Sequence, residues 1–394
     1  DDVIKGIISP TAVLNYRKEM LEVLYRCKRF CGIWPDENKP IYCLKLLINI
    51  TSIMYLLTGF SLHVLKVVTD PAGTVSNIAD ALFTLQCTFN YSFNYIGCAI
   101  LSETSLNFFT SITNFEEFGM PKQLPAIDRE LNKNVKIMVG YCTASAISIH
   151  LYSLLTYDYC LEKHNGINDI AYCGYCCGLY YPYNYDKGFS FVLHVLLNTY
   201  TFSMLCFSGV IFICAGYCGI EFICVRIDHL IQMLDEVLNG RKDSKETRDG
   251  MRNCIRYHIY IISLANSLND CYSIINTPAV FFYSVTLGLC LFSLIKDYSY
   301  KAALVVVGYI CGTFVMSVSG QKLLDKSQSI GQAVYDTKWY QHDVRTRKCV
   351  LLMMLRSQKA LTYKAGPFGT FSLPVFMLVI RGAYTYMTMQ SNIK

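Results

Sequence analysis

Long apolar runs separated by polar, basic stretches organise the chain. Uncharged runs extend from Ala81 to Leu101, Ile137 to Tyr157, Gly188 to Ile220, Cys271 to Ile295 and Ala302 to Gly320. Coiled as helices, each is long enough to cross about 30 Å of hydrocarbon. A sixth run, Leu46 to Val68, carries only Lys66 near its end, and a seventh, Gly366 to Ile393, is interrupted by Arg381. The pattern predicts an all-α integral membrane protein of seven transmembrane helices, with its two termini on opposite sides.

The apolar rhythm does not stop at the membrane. Past Ile220 it continues through Ile227, Leu230, Ile231, Leu234, Val237 and Leu238 at helical spacing, with charges on the other face, so helices four and five should project into the cytosol and pack together. Gly320-Gln321 is expected to close helix six. Between Lys322 and Gly366 a polar-apolar segment holding Tyr335, Trp339 and the run Val350 to Leu355 predicts a cytosolic anchor helix that feeds the last span. The chain divides accordingly into residues 1–321 (helices one to six), 322–366 (anchor) and 367–394 (last helix).

Orientation follows from the basic residues, which are retained on the cytosolic face. Lys5, Arg17, Lys18, Arg26, Lys28, Arg29 and Lys39 precede helix one; Arg226, Arg241, Lys242, Lys245, Arg248, Arg252 and Arg256 lie between helices four and five; nine more run from Lys322 through Lys364. The alternate loops are poor in charge, with only Lys163 and Lys187 between helices three and four. The amino end is therefore expected inside and the carboxyl end outside, the reverse of a seven-helix metabotropic receptor. Asp128-Arg129-Glu130 resembles the acidic-Arg triplet of such receptors, but it follows the second helix and no Asn-Pro-x-x-Tyr stands in the last. It reads as a solvated charge run. The opening has no apolar run, so no signal peptide is expected.

Composition agrees: 53% of the 394 residues are hydrophobic and 16% charged, against about 25% charged in soluble domains. Of the 19 cysteines, Cys87, Cys98, Cys142, Cys206, Cys214, Cys218, Cys290 and Cys311 fall in apolar runs, where thiols behave as small hydrophobes. Cys160, Cys173, Cys176 and Cys177 cluster in the loop expected outside, where pairing is possible and its connectivity open. The Cys173-x-x-Cys176 spacing has no second pair, so no metal site is expected. Two N-x-S/T matches, at Asn49 and Asn90, fall inside spans, which argues against glycosylation. No phosphate loop or His-Cys constellation points to an enzyme, a cofactor or nucleic acid, and His63, His150 and His194 stand singly in apolar helices.

The carboxyl-terminal region carries an ordered set of marks. Gly320-Gln321 and Ser327 are followed by Ala333-x-Tyr335-x-x-x-Trp339, then Leu351-Leu352-Met353-Met354, Arg356-Ser357-Gln358-Lys359 and Ala365-Gly366. Ser372-Leu373, Phe376 and Ile380-Arg381-Gly382-Ala383-Tyr384-Thr385-Tyr386 complete it. The set resembles the insect odorant receptor family, and its basic, small, small, Tyr, Thr, Tyr ending resembles the tuning receptors. The family's co-receptor has a large insertion between helices four and five, where this loop is short. Gustatory receptors end in Thr-Tyr, five apolar residues and Gln-Phe, whereas Thr385-Tyr386 is followed by Gln390 and no Phe. A gustatory-like channel is thus the alternative relative.

The resemblance implies an odorant-binding tuning subunit of a ligand-gated, non-selective cation channel, a heterotetramer with the odorant receptor co-receptor (Orco) in the plasma membrane of a sensory neuron dendrite. A small volatile organic ligand and membrane lipid are the other partners implied. In the last helix Gly382, Thr385 or Tyr386, Met389, Asn392 and Ile393 recur at three- and four-residue intervals on one face. The family's two apolar gate positions map onto Met389 and Ile393, with Thr385, Gln390 and Asn392 expected to line the pore; packing against neighbouring helices is the alternative for the gate pair. An apolar pocket reached from outside is expected to use Phe83, Cys87, Tyr91, Ser145, Ile149, Tyr152, Phe202 and Tyr300. Tyr335 and Trp339 are expected to serve assembly. Arg381 in mid-span should face protein or water.

Overall fold

A backbone inside hydrocarbon has to close its own hydrogen bonds, which favours long unbroken helices. The computed structural model describes residues 20–34, 39–69, 75–164, 175, 179–183, 188–240, 243–297 and 299–392. They form α1 (Glu22–Phe30), α2 (Lys39–Thr69), α3 (Val75–Ile100), α4 (Ser102–Ile112), α5 (Leu124–Leu155) and α6 (Tyr157–His164). After these come α7 (Gly188–Leu238), α8 (Ser244–Asp297), α9 (Tyr300–Tyr335), α10 (Val344–Ser357) and α11 (Leu373–Asn392). The seven expected spans are α2, α3, α5, α7, α8, α9 and α11. No strand occurs among the described residues, only an isolated antiparallel bridge between Lys364 and Thr370.

Helices α7 and α8, of 51 and 54 residues, run about 75–80 Å at about 1.5 Å per residue, well beyond the bilayer as their periodicity predicts. Helix six was expected to close at Gly320, but α9 continues to Tyr335. Its buried stripe persists through Leu323, Ser327, Ile330 and Val334, and two lysines beside it are paired with α7: Lys322 to Glu221 at 2.6 Å and Lys326 to Asp228 at 2.5 Å. The boundary expected at 321/322 therefore lies inside a helix. Helix seven, expected from Gly366, starts only at Leu373. Gly366 and Gly369 hold φ of +63° and +91°, left-handed conformations that a helix cannot pass through. After Tyr335 at the end of α9 the anchor segment holds a single 3-10 turn, Trp339–Gln341, and one α-helix, α10, before a connection to α11 that includes a second 3-10 turn at Gly366–Phe368.

Five described helices are long and apolar enough to cross a membrane by composition: α2 (from Pro40), α5, α7, α8 and α9. The run Ala81 to Leu101, uncharged throughout, belongs to α3, which is outside that set because it carries Thr84, Thr88, Asn90, Ser92 and Asn94, all buried inside the bundle. Helix α7 is the central post. Of its most apolar window 83% is buried, against 22% for α2 and 17% for α5, whose Leu47, Met54, Leu65, Ile147, Leu151 and Leu154 face outward, as a lipid-facing surface requires.

Asp128 is not solvated. It is buried and accepts the Leu21 backbone N–H at 3.0 Å, and its neighbour Asn132 accepts that of Val23 at 3.2 Å. Helix α1 begins at Leu21 without a capping side chain of its own, so α5 supplies the acceptors its first turn lacks. Arg129 and Glu130 remain exposed. Asn49 and Asn90 are buried. Cys87, Cys142, Cys214, Cys218 and Cys290 are buried, whereas Cys311 faces outward. The Cys160 side chain and Cys173, Cys176 and Cys177 lie outside the described residues.

Candidate functional site

Polar side chains in a bundle interior need partners within it, and this requirement collects three aromatic groups along the spans. The innermost joins α3, α8 and α9. Asn90 Nδ2 donates to the Tyr309 hydroxyl at 3.4 Å, and that hydroxyl reaches Cys87 Sγ at 4.0 Å. The Tyr309 ring lies 6.0 Å from Tyr91 and 5.5 Å, edge to face, from Tyr283. Tyr91 in turn lies on Gly209 of α7, where a Cβ would come within 2.5 Å of its ring. Phe83, one turn from Cys87 on the same face, is also buried. Asn90 Oδ1 has no partner among the described residues. The result is a buried aromatic cluster with three tyrosine hydroxyls, one amide and one thiol, the mix of apolar faces and few polar groups that suits an apolar ligand with one polar group.

A second group lies toward the same end of the bundle. His150 Nε2 and Ser203 Oγ are 3.1 Å apart, with Phe202 edge-on to the imidazole at 5.8 Å. Ile149 is buried and Ser145 half-buried on α5. Tyr152 and Tyr300 meet at 5.6 Å, but both are exposed, a surface pair rather than a pocket wall. The third group docks the segment 179–183 onto α2. Tyr181 stacks on Tyr55 at 5.2 Å and donates to the Tyr55 carbonyl at 2.6 Å. His194 is hydrogen-bonded by the hydroxyls of Tyr55 and Tyr183. Gly59 makes room: a Cβ there would sit 2.7 Å from Tyr181 Oη.

Of the pocket residues expected from the sequence, Cys87 and Tyr91 are therefore brought together, with Phe83 beside them; Ile149, Ser145 and Phe202 form a separate neighbourhood, and Tyr152 and Tyr300 a third. Tyr283, Tyr309 and Asn90, which pack with Cys87 and Tyr91, are not among the residues expected from the sequence. Two of them are single members of a set of 30 tyrosines, and only the α3–α8–α9 packing distinguishes them.

Helix α11 lies along α8. Its buried stripe is Val375, Val379 and Ala383, continued by Tyr386, whose Cβ would be 2.7 Å from a Cβ on Gly288. Gly382 faces Ser284. The face expected to carry Gly382, Tyr386, Thr385 and Met389 together is thus split: the first two pack on α8, while Thr385 and Met389 are exposed beside Arg381 and Tyr384. The contact with α8 takes the glycine side because only there can the two backbones approach closely. Gln390 is half-buried; of Asn392 only the backbone is described, and Ile393 lies outside the described residues. The Arg381 carbonyl accepts from the Thr385 hydroxyl at 3.0 Å, but its guanidinium has no ion-pair or hydrogen-bond partner among the described residues.

At the opposite end Tyr335 is exposed, and Trp339 is half-buried edge-on to Tyr340 at 6.4 Å. With Leu351, Leu352 and Leu355 of α10, also exposed, they give the anchor an uncovered apolar surface.

The sequence profile of the family described as 7tm Odorant receptor matches residues 74–384. Odorant receptor 22c of Drosophila melanogaster is 29% identical over 150 residues, which is 36% of this chain and 37% of that protein. The odorant receptor coreceptor of Anopheles gambiae is 26% identical over 163 residues, 39% of this chain and 33% of that one. The aligned part of the chain thus spans about a third of these relatives' length. Among solved structures, the olfactory receptor OR5 of the insect Machilis hrabei superposes with a TM-score of 0.79 at 13% identity, covering 97% of this chain and all of that one. The same receptor in complex with eugenol gives 0.73 at 12% identity and 96% coverage.

Proposed function

The chain belongs to the 7tm odorant receptor family, and on that premise we propose that it is the odorant-binding tuning subunit of a heteromeric, ligand-gated, non-selective cation channel, assembled with the family's co-receptor Orco as a heterotetramer. Its amino end is cytosolic and its carboxyl end extracellular, as the basic stretches before α2, between α7 and α8 and around α10 require. It acts in the plasma membrane of a sensory neuron dendrite.

One observation carries the reading: α11 buries a single stripe against α8 and leaves Arg381, Thr385 and Met389 uncovered. A ring of four such helices completes the missing packing and encloses an axis. Met389, with Ile393 one turn on, forms the apolar constriction, which closes by dewetting. Thr385, Gln390 and Asn392 offer hydroxyl and amide contacts to a hydrated cation. The exposed aromatic and leucine side chains of the anchor, Tyr335 and Trp339 among them, hold neighbouring subunits together.

The ligand is a small volatile with an apolar body and one polar group, bound at Cys87, Tyr91, Tyr283 and Tyr309, with Phe83 behind them. Ile149, Ser145 and Phe202 form the approach from the outer end. Helix α8 presents Tyr283 to that cluster and Ser284 and Gly288 to α11. A ligand that binds better when Tyr283 is displaced therefore favours a different α8–α11 arrangement in proportion to that difference in affinity.

The test is whole-cell current from cells expressing this chain with and without the co-receptor, across volatiles that begin with eugenol and related phenols. Odorant-evoked cation current that needs both chains supports the reading. Current that depends on G-protein signalling, or that the co-receptor does not affect, overturns it.

A further inference from the structure

The elbow between α1 and α2 brings two surface cations side by side and pairs neither with an acid. Gly32 makes the bend: its φ of +68° is a left-handed conformation that glycine adopts without strain. Its N–H donates to the Arg29 carbonyl at 3.1 Å, and a Cβ on it would lie 3.3 Å from Lys45 Cβ, so Arg29 and Lys45 flank the same residue. Arg29 is exposed and Lys45 half-buried. No carboxylate stands within ion-pair distance of either among the described residues, whereas Arg26, one turn back on α1, is paired with Glu22.

Helix α2 fixes the level at which they stand. Between Lys45 and Lys66 it carries no Asp, Glu, Lys or Arg, and at about 1.5 Å per residue that stretch matches the hydrocarbon thickness of about 30 Å. Lys45 is thus at the height where acyl chains end and headgroups begin. Around it Ile41, Leu44, Leu47 and Ile48 face outward, and Phe30, next to Arg29, is 66% exposed with its ring edge-on to Phe207 of α7 at 5.7 Å. Two cations inside an outward-facing apolar collar fit a molecule with an anionic head and apolar tails.

We propose that this elbow binds one anionic phospholipid, its phosphate held by Arg29 and Lys45 and its acyl chains lying along Phe30, Leu44 and Leu47. A guanidinium offers phosphate oxygens a planar pair of donors, and an ammonium adds a point charge. A free phosphate ion would leave the apolar collar uncovered, and a phosphatidylcholine would bring its own cation against the two already there. Only the assignment of this lipid to the cytosolic leaflet rests on the orientation proposed above; the site itself does not.

The experiment is native mass spectrometry of the full chain, purified in detergent and given equimolar phosphatidylglycerol and phosphatidylcholine. Detergent opens both ends of the chain to lipid, so the result is independent of orientation, which labelling of an amino-terminal tag in intact and permeabilised cells tests separately. As the first bound lipid, phosphatidylglycerol should exceed phosphatidylcholine by about tenfold or more, since each cation near an anionic lipid contributes about fivefold. Replacing Arg29 and Lys45 together by Gln should bring the ratio close to one. The same charge removed at exposed Lys122 and Lys133 should leave it unchanged. A ratio near one on the wild-type chain overturns the proposal, as does a preference that survives the elbow substitutions or falls equally with Lys122→Gln and Lys133→Gln. Should the double variant not fold, Lys45→Gln alone should lower the ratio about fivefold, and an unchanged ratio there overturns the site.

Discussion

Helices α7 and α11 both serve as spans, yet they are finished to different degrees. Helix α7 is enclosed by its own chain so completely that Arg226, a charged side chain, has no exposure. Helix α11 is covered on one stripe, and its own arginine, Arg381, is exposed and unpaired among the described residues. The two arginines show what each helix needs. The Ile112 and Asn114 carbonyls at the end of α4 answer Arg226 within the chain, whereas Arg381 facing lipid near mid-membrane would cost about 2.5–3.5 kcal/mol. The uncovered side of α11 therefore requires protein or water, which the proposed assembly around an axis would supply.

The sharpest way to break this contrast is at the finished helix. Arg226→Met should destabilise the chain by about 3 kcal/mol, because two buried carbonyls lose a charged donor at once; a Tm within a degree of wild type would mean that α7 is not the post described. Next is the joint where the finished part hands over to α11. In Gly320→Ala the new Cβ would lie 2.2 Å from the Phe371 carbonyl oxygen, a backbone atom that cannot swing aside. The clash should cost about 1–3 kcal/mol and outweigh the gain of about 1 kcal/mol from replacing a helical glycine. Smaller again is Asn269→Ala. Asn269 donates to the Thr362 carbonyl and accepts the Lys364 N–H, both at 2.8 Å, clasping the strap that leads into α11. Its loss should cost about 1–2 kcal/mol. An increase in Tm for either variant would show that the joint is loose.

The spans, the long extensions of α7 and α8 and the helix α10 were legible in the sequence because each rests on periodic apolar positions. The ends of helices were less so. Nothing local stops a helix at Gly320 once Leu323, Ile330 and Val334 keep its buried stripe going, and nothing but the positive φ of Gly366 and Gly369 delays α11. Charges misled where a partner lay far along the chain: Asp128 answers Leu21, and Lys322 answers Glu221. In the aromatic cluster of α3, α8 and α9, Cys87 and Tyr91 could be placed on one face from helix direction alone, but that Tyr283 and Tyr309 join them could not. Their selection depends on the crossing of three helices distant in sequence.

The smallest expected effect on stability is at the unfinished helix, and there the contrast is most exposed to test. Met389 is exposed in the single chain, so Met389→Ala should change Tm by no more than about 0.5 kcal/mol equivalent, whether or not a pore exists. If neighbouring copies of α11 close an apolar ring at this level, the same substitution widens and wets the constriction. It should then raise the current measured without odorant in cells expressing both subunits. Met389→Leu, similar in volume, should leave that current near its wild-type level. A Tm loss comparable to that of Asn269→Ala, with basal current unchanged, would instead place Met389 in ordinary packing between helices, and the constriction would have to be sought elsewhere on α11.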